Sequence, residues 1–284
     1  MDPWQEAIIN HEPAVRFAAF FVIFAALALA EGALPRRTAQ VGKSKRWTAN
    51  LGILVVDIVL VRALLPTAAV GIAFYGQSHG MGLLNATPLP HVVEVALAVV
   101  LLDLAIYAQH VVFHSVPMLW RLHRAHHADL DFDLTTGLRF HPIEILLSMV
   151  IKAVVILLLG APPLAVLIFE IALNATAMFS HSNIRLPRVA DRYVRLLLVT
   201  PDMHRVHHSI NRDETDSNFG FNFSFWDRVF RTYRAQPRDD HEAMVIGIPA
   251  FRDERRCATI TGILSIPFVR DVAKPVSTGE HFVS

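Results

Sequence analysis

Eight of the fifteen histidines in this 284-residue chain fall in three tight groups. They are His110 and His114 (HVVFH), His123, His126 and His127 (HRAHH), and His204, His207 and His208 (HRVHH). Neutral imidazole is the commonest protein ligand for iron, zinc and copper. In HVVFH the histidines stand at i and i+4, so on a helix both rings share a face. In HRAHH and HRVHH the spacing is i, i+3 and i+4, again one face. Adjacent members such as His126 and His127 differ by about 100° around a helix axis, so they can serve two different ions. Eight imidazoles exceed the needs of one ion, and the economical expectation is a dinuclear site. His181 and His141 are further candidate metal ligands. The remaining histidines, His11, His79, His91, His241 and His281, fit no group.

Ligand type alone does not choose among Zn, Cu, Fe and Ni. The Glu and Glu-x-x-His pattern of carboxylate-bridged di-iron bundles is absent. Iron has redox chemistry that zinc lacks, and an unreactive alkyl C–H bond needs an oxidant of that kind. Metal-bound histidines usually donate their second ring N–H to a partner. Asp103 lies seven residues before His110 on the same helical stripe and is a candidate for that role. Asn174 lies seven before His181, with Glu170 continuing the stripe, and Asp202 precedes the last group. The single cysteine, Cys257, excludes an internal disulfide framework, a Cys-type zinc ribbon and a Cys-ligated iron–sulfur cluster.

The elements that must position these residues are membrane helices. The chain is 53% apolar, with a mean hydropathy of +0.40, too apolar for an ordinary soluble domain. A formal net charge of +1 gives no bulk basic field for nucleic acid. Residues 1–12 lack a basic n-region and a cleavage site, so the first apolar run, about 13–35, reads as a retained anchor. A second run, about 48–76, contains Asp57 and Arg62, expected to face the bundle interior as a structural ion pair. Residues 77–90 read as a loop. A third run, about 91–114, ends in His110 and His114. A fourth stretch, about 143–180, is broken by Gly160-Ala161-Pro162-Pro163 into two halves and reads as a helical hairpin. Residues 257–270 are apolar but too short to span, and are expected to be interfacial or packed.

Arg36, Arg37, Lys43, Lys45 and Arg46 place the first connector in the cytoplasm by the positive-inside rule. Counting crossings then brings 115–142 and everything after about 181 to the same side, with all three histidine groups. The expected fold is an all-α integral-membrane helical bundle carrying a cytoplasmic histidine-rich metal-binding cap. It forms one domain over 1–284, with anchoring helices in 13–76 and a tail at 236–284. No internal repeat or low-complexity tract is visible.

The series His-x₃-His, His-x₂-His-His and His-x₂-His-His resembles the fatty acid hydroxylase/sterol desaturase superfamily of integral-membrane di-iron enzymes. The runs Arg139-Phe140-His141-Pro142-Ile143-Glu144, Ser180-His181-Ser182-Asn183-Ile184, TPDMHRVHH (Thr200 to His208) and DSNFGFNFSFWDRVFRTY (Asp216 to Tyr233) look like that family's corresponding segments. The resemblance covers about 95–235. It implies O₂-dependent hydroxylation or desaturation of a membrane lipid at a site of two iron ions. It also implies external electrons, from a cytochrome b5 or ferredoxin system that is expected to be a separate protein. The eight grouped histidines carry over as ligands with catalytic roles, and His181 as a further ligand. Ala177 stands where some members have another histidine, which leaves one coordination position to His141, Asn174 or water. Sterols, fatty acyl chains, ether lipids and carotenoids are all substrates in the wider group, and the substrate is expected to arrive laterally, between the third helix and the hairpin.

Two other function classes compete. One is a non-catalytic metal- or lipid-binding membrane protein. The other is a membrane di-zinc hydrolase, for which Asp129, Asp131 and Asp133 after the second group would supply carboxylates. A transporter fits less well, because the histidines cluster at one surface and not at the bilayer midplane.

Overall fold

Prolines and one glycine set the ends of the long helices. The computed structural model describes residues 11–65 and 67–270. Helix α1 (Glu12–Ala33) begins with a proline in its first turn, where the missing N–H costs nothing. Helix α2 (Lys43–Leu64) ends just before Leu65 and Pro66 of the sequence, and α3 (Ala69–Ser78) follows after the break. Helix α4 (His91–Ser115) has 25 residues and carries the first histidine group in its last turns. The short α5 (Pro117–His127) carries the second group. Helices α6 (Pro142–Leu159) and α7 (Pro163–Ser180) form the hairpin, turned by Gly160 at φ 67°. A Cβ on Gly82 would lie 2.1 Å from the Gly160 backbone nitrogen, so the loop before α4 can close under the hairpin tip only with glycine there.

The described residues contain no β-strand, and five helical stretches are long and apolar enough to cross a membrane: Glu12–Ala33, Lys43–Ser78, His91–Ser115, Pro142–Leu159 and Pro163–Ser180. The chain is thus an all-α integral-membrane helical bundle. The second stretch departs from the sequence reading of one continuous run. Helix α2 ends at Leu64 and α3 begins at Ala69, and the short α3 packs against α6 and α7. Ala69, Val70 and Ala73 of α3 join Leu102, Ala165 and Phe169 in a core at the hairpin-tip half.

Asp57 and Arg62 do not pair as expected. Asp57 is buried without a partner for its Oδ1, while Arg62 is exposed. Lys152 and Arg16 do pair between spans, both with Glu170 at 2.9 Å, and Gln109 of α4 donates to Ser148 of α6 at 2.8 Å.

At the opposite end the chain folds into a cap of short helices: α8 (Arg188–Val194), α9 (Pro201–His207, carrying the third group), α10 (Arg212–Thr215), α11 (Phe225–Val229), α12 (Glu254–Cys257) and α13 (Ile260–Ser265). Residues 257–268 are packed, with Cys257, Ile263 and Ile266 buried against Ala49 and Ile53 of α2 and Ala125 of α5. The N-terminal stretch before His11, His281 and the last part of the tail lie outside the described residues.

The 129–136 turn is fastened to α2 by ion pairs. Arg46 donates to both Asp129 oxygens, at 2.7 and 2.8 Å, and to Asp133 at 2.5 Å. Asn50 donates to Asp129 and Thr135. Burial alone would raise the Asp129 carboxyl, but Arg46 and Arg139 pull it well below the carboxylate range. This buried network fixes the segment that runs from the second histidine group to α6.

Candidate metal centre

Nine buried histidines converge at the junction of bundle and cap, in two groups whose ligand atoms lie within 4.8 Å of one another. His110, His114, His123, His127 and His207 form the first; His126, His181, His204 and His208 form the second. Neighbours in sequence part company as the 100° rotation requires: His126 and His127 fall in different groups, and so do His207 and His208. The His127 and His208 rings stack at 4.4 Å where the groups meet.

Within each group the Nε2 atoms face one another. His110 Nε2 is 3.1 Å from those of His123 and His207. His181 Nε2 lies 3.1 Å from that of His126 and 3.0 Å from that of His204.

The outer ring nitrogens are anchored. Nδ1 of His110 donates to the Phe219 carbonyl (2.8 Å), that of His126 to Arg139 (3.1 Å), that of His181 to Ala177 (2.7 Å) and that of His207 to Ser217 (2.7 Å). His123 Nδ1 donates to Glu144 Oε1 at 2.6 Å, and His114 Nδ1 to Asp216 at 3.3 Å. A proton held on Nδ1 leaves the Nε2 lone pair pointing inward, which is the orientation of a metal-binding imidazole.

Among the nine clustered histidines, five buried ring nitrogens have no hydrogen-bond partner: His114 Nε2, His127 Nε2, His204 Nδ1, and both nitrogens of His208. An orphaned buried polar atom costs about 1–3 kcal/mol, and metal ions in the two groups would satisfy His114 Nε2, His127 Nε2 and one nitrogen of His208. Burial also drives the ring pKa values down, to about 3 for His123 and His181 and well below the ordinary value for His126, His127, His204, His207 and His208. These rings are neutral donors at pH 7. The donor set therefore fits two ions that accept imidazole.

Four residues expected near the metal stand elsewhere. Asp103 does not reach His110; its carboxylate accepts from the backbone N–H groups of Asn222 and Phe223 and from Trp226 Nε1. It acts at one remove, by holding the loop whose Phe219 carbonyl does accept from His110. Asn174 is exposed and donates to the Glu170 carbonyl of its own helix. His141 caps α6, accepting from Ile143 N, with Nε2 near the Leu264 carbonyl at 3.3 Å. Asp202 binds Arg36 and Arg205.

The partners the sequence reading missed are mostly backbone carbonyls, which no residue type announces. Glu144 carried a signal, being an acid in the first turn of an apolar helix. The aspartates of the hydrolase reading are committed: Asp129 and Asp133 to Arg46, and Asp131 to the backbone N–H groups of Gln40, Val41 and Phe132.

A helical membrane bundle whose spans and cap jointly enclose two imidazole clusters defines the class of histidine-box membrane proteins. Residues 95–232 match the fatty acid hydroxylase family. That stretch holds all nine clustered histidines, and the chain is similar over it to members of the fatty acid hydroxylase/sterol desaturase superfamily. It is 30% identical over 190 residues to the ornithine lipid hydroxylase OlsE of Rhizobium tropici, covering 66% of this chain and 52% of that protein. It is 30% identical over 146 residues to the alkylglycerol monooxygenase of Homo sapiens (51% of this chain, 31% of the relative). It is 28% identical over 147 residues to the cholesterol 25-hydroxylase of Rattus norvegicus (51% and 48%). The chain thus spans about half the length, or less, of these relatives. No solved structure matches.

Proposed function

We propose that this protein is an O₂-dependent oxidoreductase that hydroxylates, or desaturates, a membrane lipid at a non-haem di-iron centre. The observation that carries this reading is the sorting of nine buried histidines into two adjacent groups at one end of a membrane bundle. The names of the relatives, which are hydroxylases and a monooxygenase of ornithine lipid, alkylglycerol and cholesterol, support an oxidative reaction on a lipid.

His110, His114, His123, His127 and His207 would hold one iron, and His126, His181, His204 and His208 the other. The irons would supply the redox chemistry that C–H oxidation by O₂ demands. The protein's own work is positional. The Nδ1 hydrogen bonds to Phe219, Ser217, Arg139, Ala177 and Glu144 fix each ring plane, so the donor set needs little reorganisation on binding. Burial excludes water around the centre.

Reduction of O₂ with insertion of one oxygen consumes two electrons and two protons, and releases one water. A separate donor of the cytochrome b5 or ferredoxin kind would supply the electrons. A shallow groove between α4 and the hairpin, lined by Ala105, Ile106, Gln109, Ile151 and Val155, lies on the lateral route expected for the lipid. The basic connector, with Arg36 and Arg37 bonded to cap residues Asp202 and Met244, lies at the histidine end, which supports a cytoplasmic location for the site.

The test is conversion of lipid in membranes containing the chain, supplied with O₂, NAD(P)H and reductase. His126→Ala and His207→Ala each remove a donor from a different group and are expected to abolish O₂-dependent turnover. Full activity in both variants would sink the proposal.

A further inference from the structure

The cap carries an apolar face that the histidine site does not use. On α8 and the turn after it, Val189, Tyr193, Leu196 and Leu197 follow at i, i+4, i+7 and i+8, one helical stripe. All four are more than half exposed, between 55% and 69%. Leu198 bridges to Phe223, and Leu197 O accepts from Ser224 N, which brings this stripe against α11. There Val229 and Phe230 are exposed at 62% and 51%. Six large apolar side chains therefore share one edge of the cap, a patch of the kind that marks a protein or membrane contact.

The depth of this edge decides between those occupants. Asp103 stands at the midpoint of α4, twelve residues or about 18 Å before Ser115. Its carboxylate binds Asn222 N, Phe223 N and Trp226 Nε1. Phe230 stacks on Tyr107 of the same helix, with centroids 5.2 Å apart. Asn222 also hydrogen bonds Thr176 of α7, four residues before that span ends. The segment 222–230 thus lies alongside two membrane spans, inside their ends. Irregular backbone is tolerated at that depth only when its polar groups are satisfied by protein, and Asp103 and Asp227 do this: Asp227 accepts from Phe219 N and Gly220 N. Arg188, Arg192 and Arg231 are exposed at the margins of the face, placed to meet anionic lipid headgroups.

We propose that this edge, from α8 through α11, is embedded in the bilayer as a monotopic face, continuous with the lipid-facing side of α4. It rests on the membrane bundle and not on the proposed oxidation, so either can fail without the other. The face also gives a reason for the alternating Phe219, Phe221, Phe223 and Phe225: the run leads from rings packed against His110 to the lipid-facing edge.

The test uses the full chain in vesicles of phosphatidylcholine and phosphatidylglycerol. Cys257→Ala removes the single native thiol, and nitroxide labels are placed by Leu196→Cys, Leu197→Cys, Val229→Cys and Phe230→Cys, with Asp239→Cys as the water-exposed reference. Collision with lipid-soluble oxygen should exceed collision with an aqueous nickel chelate at the four apolar positions, and the order should reverse at Asp239. Nickel access at the four equal to that at Asp239 would overturn the proposal and make the face water-exposed. Protection from both reagents would also overturn it, and would mean that protein, such as a second copy of the chain, covers the face.

Discussion

At the scale of single residues, the site depends on what holds the back of each ring. Among the described residues Glu144 is the only side-chain carboxylate within 3 Å of a clustered histidine, at 2.6 Å from His123 Nδ1. Removing such a partner typically weakens metal affinity by about 10–100-fold. Glu144→Ala is therefore expected to lower affinity by that order in a chelator competition, and Glu144→Gln to lower it less, because the amide oxygen can still accept. Equal affinity in wild type and Glu144→Ala would remove Glu144 from the account. His208→Ala should cost the second group its ion while the five-histidine group keeps its own, seen as about half the metal per chain. The i, i+3, i+4 spacings made the ring faces and the split between adjacent histidines legible in the sequence. They could not show that Asp103 faces away from His110, because the seven-residue stripe ignores the loop at 219–226 that claims its carboxylate first.

At the scale of elements, the helices were legible wherever an apolar run met a proline. Pro142, Pro162 and Pro163 mark the starts of the hairpin helices in letters and in space. The second run misled because its hydropathy continues across Leu65 and Thr67, although Pro66 cannot continue a helix. The tie between α2 and the 129–136 turn was not legible, since a charge run after a histidine group reads as solvated surface. Arg46→Met leaves Asp129 and Asp133 buried without their cation. Breaking a buried pair in this way costs about 3–5 kcal/mol, so a large loss of thermal stability is expected in detergent or lipid. A change within experimental error would show that the network contributes no stability.

At the scale of the whole molecule, the neutral histidines couple folding to pH. His123 and His181 titrate near 3 when folded and near the ordinary 6.5 when unfolded. Between those values the unfolded chain binds more protons, so metal-free stability falls as pH drops below 6.5, with a slope approaching about 1.4 kcal/mol per pH unit for each such ring. The melting temperature of the metal-free protein should therefore be lower at pH 5.5 than at pH 7.5. Metal should raise both values but dissociate at the acid end, since protons compete for the same nitrogens. A melting temperature independent of pH across this range would contradict neutral burial of the rings. The global arrangement, with bundle and cap sharing one site, was foreshadowed by loop basicity and histidine placement. The course of the cap between residues 209 and 250 was not, because it is built from helices of four or five residues, turns and single bridges, too short for a helical period to show.

The central claim is a coupled pair of irons held by nine histidines in two groups. Its most direct measurement is iron content per chain together with the Mössbauer spectrum of protein loaded with ⁵⁷Fe in lipid. The account predicts about two irons per chain in an imidazole-rich environment, spin-coupled in the diferric state, with His127→Ala and His208→Ala each perturbing a different iron. One iron per chain, or two that are magnetically independent and insensitive to these substitutions, would contradict it.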